Sequence, residues 1–445
     1  MSSTETIFAL ATAPGRAGIA VFRISGPGAR DVLRSVAGLT KLPLPRTTIR
    51  CRMVGPKSGD PLDDGLAIWF PGPASFTGED VVELHTHGGR AVIEAIGGAL
   101  AAIENFRLAE PGEFSKRAFL AGKIDLTEAE AIADLVDADT DAQRRQALAQ
   151  LGGGLSERLE AWRAGLIDIL AHTEAWIDFP DEDLPDHVEA AARACISGLA
   201  SDIAGFLDDN RRGERLRDGL QVAILGAPNA GKSSLLNALA AREAAIVSDV
   251  AGTTRDVIEV HLDLGGWPVT LADTAGLRDA EDAVEQEGVR RALDRAEDAD
   301  LCLVLFDATV PPDAPSLRLL DRSNALTVAT KTDLCVGEDR RDAAPDALPV
   351  SAKTGDGLPQ LLIRLEEAAA ALMDVSGGPA PLTRLRHRTA LVECVEALAR
   401  ASEARDSELV AEDLRLAARS LGRITGRVDI EDLLDVIFSD FCIGK

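Results

Sequence analysis

The spacing of apolar positions divides the chain into three kinds of segment. Over residues 1–122, short runs rich in apolar and β-branched residues alternate with Gly and Pro turns, as at Ile19 to Ile24, Leu66 to Phe70 and Val81 to His85. Such runs predict strands, and here a compact α+β domain. From 123 to 215 the period lengthens. Leu155, Leu159, Trp162, Leu166, Ile169, Thr173 and Trp176 follow alternating steps of four and three, which gives a helix one largely apolar face. Thr127 and Glu130 have the spacing of a capping box and predict a helix start. The run Asp178-Phe179-Pro180-Asp181-Glu182-Asp183 ends the long helix.

Between 216 and 372 strands and helices alternate. The strands are Leu220 to Leu225, Val269 to Leu271, Leu301 to Phe306, Ala325 to Ala329 and Leu348 to Val350. That alternation predicts a doubly wound, mostly parallel sheet. From 373 to 445 the pattern is helical again, with Leu414, Ala418, Leu421 and Ile424 on one stripe. Helical stretches on both sides of an α/β unit imply an insertion. The expected architecture is multidomain α/β, in which 123–215 and 373–445 pack as one helical domain that carries residues 216–372.

Composition narrows the function. The 445 residues are 46% apolar, enough for several packed cores. No uninterrupted apolar run approaches the ~18 residues of a membrane span. Met1 to Arg16 has no basic segment leading into an apolar one, so a signal peptide is not expected and the cytoplasm is. Cys51, Cys195, Cys302, Cys335, Cys394 and Cys442 form no Cys-x-x-Cys pair, which gives no sign of a zinc site or disulfide framework. The net charge of −26 excludes broad, non-specific nucleic-acid binding, and the 4% aromatic content with no Tyr argues against a base-stacking platform. Any RNA contact must come from a local basic patch.

The α/β segment carries the clearest chemistry. Gly226-Ala227-Pro228-Asn229-Ala230-Gly231-Lys232-Ser233 fits Gly-x4-Gly-Lys-Ser between a strand and the helix Ser234 to Leu239. Its backbone amides and the helix start point at phosphates. Lys232 neutralises the β- and γ-phosphates, and the Ser233 hydroxyl binds Mg²⁺. Asp273-Thr274-Ala275-Gly276 lies 41 residues after Lys232 at a strand end. There the acid can hold Mg²⁺ through water and the Gly amide can sense the γ-phosphate. In the loop Gly252-Thr253-Thr254-Arg255-Asp256, Thr254 is assigned the second hydroxyl on Mg²⁺. Thr330-Lys331-Thr332-Asp333 follows a strand, and Asp333 can accept from N1 and N2 of guanine, donors that adenine lacks. Ser351-Ala352-Lys353 can offer an amide to guanine O6. Five motifs in order at strand ends select GTP. Leu277 stands where many relatives place a water-orienting Gln, so hydrolysis needs another cation and another polar group.

Beyond these motifs, nearly the whole chain resembles the tRNA-modification GTPase MnmE (TrmE) family. The resemblance runs through Thr6-Ile7, Pro14-Gly15-Arg16, Arg23-Ile24-Ser25-Gly26, Phe76-Thr77-Gly78-Glu79-Asp80 and Gly88-Gly89. It continues through Pro111-Gly112-Glu113-Phe114-Ser115, Arg117-Ala118-Phe119-Leu120 and Lys123-Ile124-Asp125-Leu126 to the terminal Phe441-Cys442-Ile443-Gly444-Lys445. It implies a Ras-like P-loop GTPase domain inserted in the helical domain. It also implies an N-terminal domain that dimerises and binds 5-formyl- or 5,10-methylene-tetrahydrofolate through Arg23, Glu83, Lys123 and Lys445. Taken singly, each of these four reads as half of a surface ion pair.

The resemblance further implies GTP contacts at Asn229, Ala230, Gly231, Lys232, Ser233 and Ser234, and at Ser248, Asp249, Val250, Ala251, Gly252 and Thr253. Asp273, Thr274, Ala275, Gly276, Thr330, Lys331, Asp333, Ser351, Ala352 and Lys353 complete the set. Asn229, Ser248, Val250 and Thr253 would hold K⁺, with Glu285 as the catalytic carboxylate and Cys442 as a working thiol. The partners implied are tRNA, a second copy of the chain and an FAD-containing tRNA-modification protein of the MnmG (GidA) type, with no membrane. Together they would place an aminomethyl or carboxymethylaminomethyl group on C5 of the wobble uridine. Two departures stand out: Thr330 replaces the usual Asn, and Ala17 a usual Gly.

Weaker signals complete the reading. His85 and His87 share a strand face with Glu83, but no further ligand cluster accompanies them. Arg415, Arg419 and Arg423 recur every four residues, and Arg384 to Arg427 holds nine Arg against seven acids, a local balance of +2. That face would either touch tRNA phosphates or pair with Glu412 and Asp413. The competing function is a ribosome-assembly GTPase switch, for which no basic RNA-binding domain is visible. A folate-binding scaffold without enzymatic activity is opposed by the intact phosphate and Mg²⁺ motifs.

Overall fold

The computed structural model describes residues 5–178, 186–242, 244–246, 259–273, 297, 299–310, 324–335, 346–375, 380–428, 431–439 and 441–444. The chain forms two compact units, one of Met1–Ala133, Gln150–Asp181 and Arg405–Lys445, the other of Asp134–Ala149 and Glu182–Ala404.

In the first unit, β1 (Thr6–Leu10), β2 (Ala17–Ser25), β3 (Ile49–Val54), β4 (Pro61–Phe70), β5 (Val81–Gly88) and β6 (Phe106–Leu108) form one sheet, in the order β3-β4-β5-β2-β1-β6. Neighbours are antiparallel except β1 and β6. Phe22, Ile24, Cys51, Met53, Val82 and Leu84 point to one face. There α1 (Val32–Ser35) and α2 (Arg90–Ala101) close a core with Val32, Leu33, Ile96 and Leu100. Because side chains alternate along a strand, Arg23, Arg50 and Glu83 face the other side.

The helices of this unit are α3 (Glu113–Leu120), α4 (Leu126–Val136), α6 (Gly154–Asp178), α12 (Ser407–Thr425) and α13 (Glu431–Ser439). The predicted apolar face of α6 is its buried face: Leu155, Leu159, Trp162, Leu166, Ile169 and Thr173 are all buried. Burying each Leu contributes roughly 1.5–3 kcal/mol. α6 packs along α12, which buries Leu414, Leu421 and Ile424.

The expected capping box lies two residues too late. Asp125 caps α4: Glu128 N donates to Asp125 Oδ1 (2.9 Å) and Asp125 N donates to Glu128 Oε2 (2.8 Å). Thr127 and Glu130 are buried inside the helix, where Thr127 Oγ1 bonds Asp125 Oδ1 and Ser156 Oγ. Two overlapping pairs have the required spacing, and only the first has its leading residue outside the helix.

In the second unit, β7 (Leu220–Gly226), β8 (Glu259–Leu264), β9 (Trp267–Asp273), β10 (Leu301–Asp307), β11 (Ala325–Thr330) and β12 (Leu348–Pro349) take the order β12-β11-β10-β7-β9-β8. Among these described strands only β8 and β9 pair in antiparallel fashion. Leu301 to Phe306 are all buried, as a central parallel strand with two covered faces requires. Val222, Ile224, Leu303 and Leu305 pack with α9 (Lys232–Ala240) and α10 (Leu358–Met373), and Ala223, Leu225, Cys302 and Val304 pack on the opposite face.

Around this sheet, α5 (Asp141–Leu151) starts against the β8–β9 turn, where Ala142 N donates to Gly266 O over 3.2 Å. α7 (Asp186–Leu207) packs along α11 (Leu385–Glu403), and Arg193 donates to Ser402 O and Ala404 O at 3.0 Å each. By length and composition alone, the helical run within Ala190–Asp218 is apolar enough to cross a membrane. α8 (Arg212–Asp218) is tied to α11 by Arg388, which holds Glu214 at 2.9 Å and Asp209 at 2.6 Å. The chain is multidomain α/β, with a nucleotide-type parallel sheet flanked in sequence by helical segments.

Candidate functional site

The phosphate loop is built where β7 ends. Gly226 sits at φ 150°, and a Cβ there would run into the Leu305 carbonyl of β10, so only glycine lets the two strand ends approach. Asn229 takes a left-handed conformation at φ 63°, and Gly231 leads into α9. Lys232 Nζ folds back over the loop and donates to Gly226 O (2.8 Å) and Ala227 O (3.0 Å). Those carbonyls hold the ammonium over the loop. Ser233 and Ser234 are exposed in the first turn of α9, and Asn229 is exposed in the loop.

Two more motifs reach the same edge of the sheet. Thr330 Oγ1 lies 2.6 Å from Ala230 O and 3.1 Å from Phe306 O. Its single proton serves one carbonyl at a time, and the shorter contact ties β11 to the phosphate loop. Lys331 Nζ lies 2.7 Å from Asp307 Oδ2 at the end of β10. Burial pushes the Asp307 carboxyl up, but hydrogen bonds from Lys331 and Thr309 outweigh it and leave the group below its ordinary value. Asp333 Oδ1 accepts from Ser351 Oγ at 2.7 Å, which joins the Thr330–Asp333 and Ser351–Lys353 motifs. The Ser351 turn is closed by Ser351 N to Asp356 O (2.9 Å) and Thr354 N to Ser351 Oγ (3.2 Å).

The backbone of Asp273 pairs in register with Ile224, two residues before the phosphate loop. Its side chain lies outside the described residues. So do Ser248 to Thr254, Arg255, Thr274 to Leu277, Arg278 and Glu285. The ends of β7, β10, β11 and β12 lie side by side at the carboxyl edge of the sheet, the edge at which α/β sheets bind ligands. Asp307 and the Thr330 link were missed from sequence; an acid at the end of an all-apolar strand was the available signal for the first.

The first unit holds the second candidate region. Arg23 and Glu83 are direct cross-strand partners in β2 and β5, with Arg23 Nη2 3.0 Å from Glu83 Oε1. The Arg23 guanidinium stands 5.9 Å from the Phe114 ring centre. His85 Nε2 lies 3.5 Å from Glu83 Oε2, and His87 Nδ1 lies 2.7 Å from Asp63 Oδ1. Lys123 is exposed just after α3, its stem beside Gly78.

A charged network supports these groups. Glu113 accepts from Arg107 and Arg117, Arg117 also reaches Glu79 at 3.0 Å, and Ser25 Oγ donates to Glu79 at 2.8 Å. Burial pushes the Glu113 carboxyl up, and Arg107, the Glu110 amide and Arg117 hold it below its usual range. In the sequence Ser25, Glu79, Glu113 and Arg117 stand out only as parts of family motifs, and the links of Glu79 to Arg117 and Ser25 join residues 38 and 54 apart.

The chain end returns to this region. Gly112 N donates to Cys442 O (3.4 Å), and Pro111 bridges Ile443 in antiparallel fashion. A Cβ on Gly444, at φ 103°, would lie 2.7 Å from Leu10 O. Leu10 follows Ala9, the partner of Arg23 in β1. Phe441 anchors the tail, buried with Phe438 and Leu126. Cys442 is an exposed thiol, and Lys445 lies outside the described residues. On α12, Arg415 is held by Glu174 of α6 at 2.9 Å as well as by Glu412 at 3.3 Å.

Comparison with known proteins adds four findings. The family model described as MnmE helical domain matches residues 126–442, and that described as GTP-binding protein TrmE N-terminus matches residues 6–123. A Rhodospirillum rubrum protein named tRNA modification GTPase MnmE is 57% identical, covering 100% of both chains. One of the same name from Parvibaculum lavamentivorans is 58% identical over 99% of this chain and 100% of its own.

Proposed function

The chain belongs to the family of tRNA modification GTPases, MnmE, and from that premise we propose that it hydrolyses GTP to drive modification of C5 of the tRNA wobble uridine. The observation that carries the GTP reading is the joined base reader, Asp333 held by Ser351, at the same sheet edge as the Lys232 phosphate loop. Lys232 would bind the β- and γ-phosphates, and Ser233 and Thr254 would hold Mg²⁺, with Asp273 acting through water. Thr330 would contribute by fixing the loop through Ala230. The ion supplies charge neutralisation at the phosphates when bound.

In this reading residues 1–122 form the dimerising folate domain, 123–215 with 373–445 the helical domain, and 216–372 the GTPase domain. Arg23, Glu83, Lys123 and Lys445 take a tetrahydrofolate one-carbon donor, and Cys442 works beside it. A carboxylate suits the aminopyrimidine edge of folate, and cations suit its glutamate tail. A flavoprotein carrying FAD completes the chemistry, in the cytoplasm.

With Leu277 unable to orient water, a monovalent cation on Asn229, Ser248, Val250 and Thr253 would stabilise charge at the β–γ bridge, and Glu285 would orient water. Turnover in K⁺ and Na⁺ tests this. Wild type is expected to be active in K⁺ and slow in Na⁺, Asn229→Ala to lose the difference, and Glu285→Ala to bind GTP yet lose most turnover. Equal wild-type rates in both salts would remove the cation, and a fully active Glu285→Ala would remove the water-orienting role.

A further inference from the structure

Residues 1–57 carry nine Lys and Arg against two acids, a net charge of +7 on a chain at −26. Arg30, Arg34, Lys41, Arg46, Arg50 and Lys57 are all exposed. Among the described residues none of these six makes an ion pair, whereas Arg107, Arg117, Arg217, Arg384, Arg388 and Arg415 each hold a carboxylate.

Arg30, Arg34, Arg46, Arg50 and Lys57 lie along the β3 margin of the first unit, with Arg50 on the sheet face opposite α1. β3 is the edge strand of the sheet and, among the described residues, pairs only with β4. Arg50 and Arg52 alternate with buried Cys51 and Met53, so they stand on its solvent side, where Arg52 is held by Asp64 of β4 at 3.5 Å and Arg50 holds no carboxylate. The segment after α1 runs beside the strand, with Val54 N donating to Val36 O at 2.8 Å. Arg30 lies 5.1 Å from the Trp69 ring centre, and Arg46 N donates to Trp69 O at 2.7 Å, which gathers two cations at one end of the margin. Arg34 follows one turn after Arg30, and Lys57 stands in the β3–β4 turn at the other end. The strand alone spans about 20 Å.

We propose that this margin docks the phosphate backbone of RNA, which deepens the tRNA reading above and rests on it. Guanidinium groups that hold no carboxylate suit phosphate, which they can bind in a fork, and a local cationic margin on an acidic chain confines RNA to one place. α12 is the poorer candidate because Glu174 and Glu412 already engage Arg415. Charged residues on an edge strand also prevent edge-to-edge pairing, but acids do that equally well, so charge reversal separates the two roles.

The test is the full-length chain with Arg34→Glu, Arg50→Glu and Lys57→Glu together, titrated with tRNA over a range of salt. Loss of three phosphate contacts is expected to weaken binding about a hundredfold at ~0.1 M salt and to reduce the slope of log K against log salt by about 2 to 3. GTP turnover and the melting temperature should match wild type, and the corresponding Gln variant should fall between. Unchanged tRNA affinity and slope would overturn the proposal, as would loss of binding to anionic vesicles alone. A wild-type chain that binds no tRNA at any salt would instead sink the tRNA reading itself.

Discussion

Replacing Asp333 with Asn is expected to lower GTP affinity by about 10²–10⁴-fold and shift preference toward xanthosine triphosphate. A carboxylate accepts from both N1 and N2 of guanine, and each hydrogen bond to a charged group contributes about 1.5–3 kcal/mol. The Asn NH2 group turns a donor toward one of these two guanine donors, so that bond becomes a clash, and the bond left to the carbonyl oxygen loses the carboxylate's charge. Xanthine carries a carbonyl at that edge, which the amide can meet. Ser351 Oγ, 2.7 Å from Asp333 Oδ1, would keep the carbonyl oxygen of Asn on its own side and aim the amide nitrogen at the base. Titration of the variant with both nucleotides checks this. Retained GTP preference would show that Asp333 does not read the base.

Deleting Cys442 to Lys445 is expected to abolish tRNA modification and leave GTP turnover within about twofold of wild type. The deletion removes the Pro111–Ile443 bridge and the Gly112 to Cys442 hydrogen bond but keeps Phe441, the buried anchor of the tail. The phosphate loop and base reader belong to the other unit. Steady-state hydrolysis and tRNA nucleoside analysis on the same preparation check the separation. Loss of both activities would give the tail a folding role.

The legible parts of the structure are those encoded locally. The phosphate loop, the base-reading motifs and their strands depend on residues a few positions apart, and they fall at the sheet edge the spacing implied. The α6 face was legible because it repeats over a long helix. The capping box falls elsewhere because Asp125–Glu128 and Thr127–Glu130 both fit the spacing, and only the place where α4 begins, at Leu126, separates them. Long-range charge pairing left no such trace: Arg117 and Glu79 are 38 residues apart, and Arg415 and Glu174 are 241 apart. Their pairing depends on which helices and strands pack together. The basic margin of the first unit was hidden for a different reason, since its cations are scattered over turns, α1 and β3 without a motif.

GTP binding at Lys232 is proposed to serve wobble-uridine modification. The most direct measurement is mass spectrometry of tRNA nucleosides from a strain lacking the gene, complemented with wild type or with Lys232→Ala. The account predicts that C5-modified wobble uridine disappears in the deletion strain, returns with wild type, and fails to return with Lys232→Ala expressed at equal level. Unaltered wobble uridine modification in the deletion strain would contradict it.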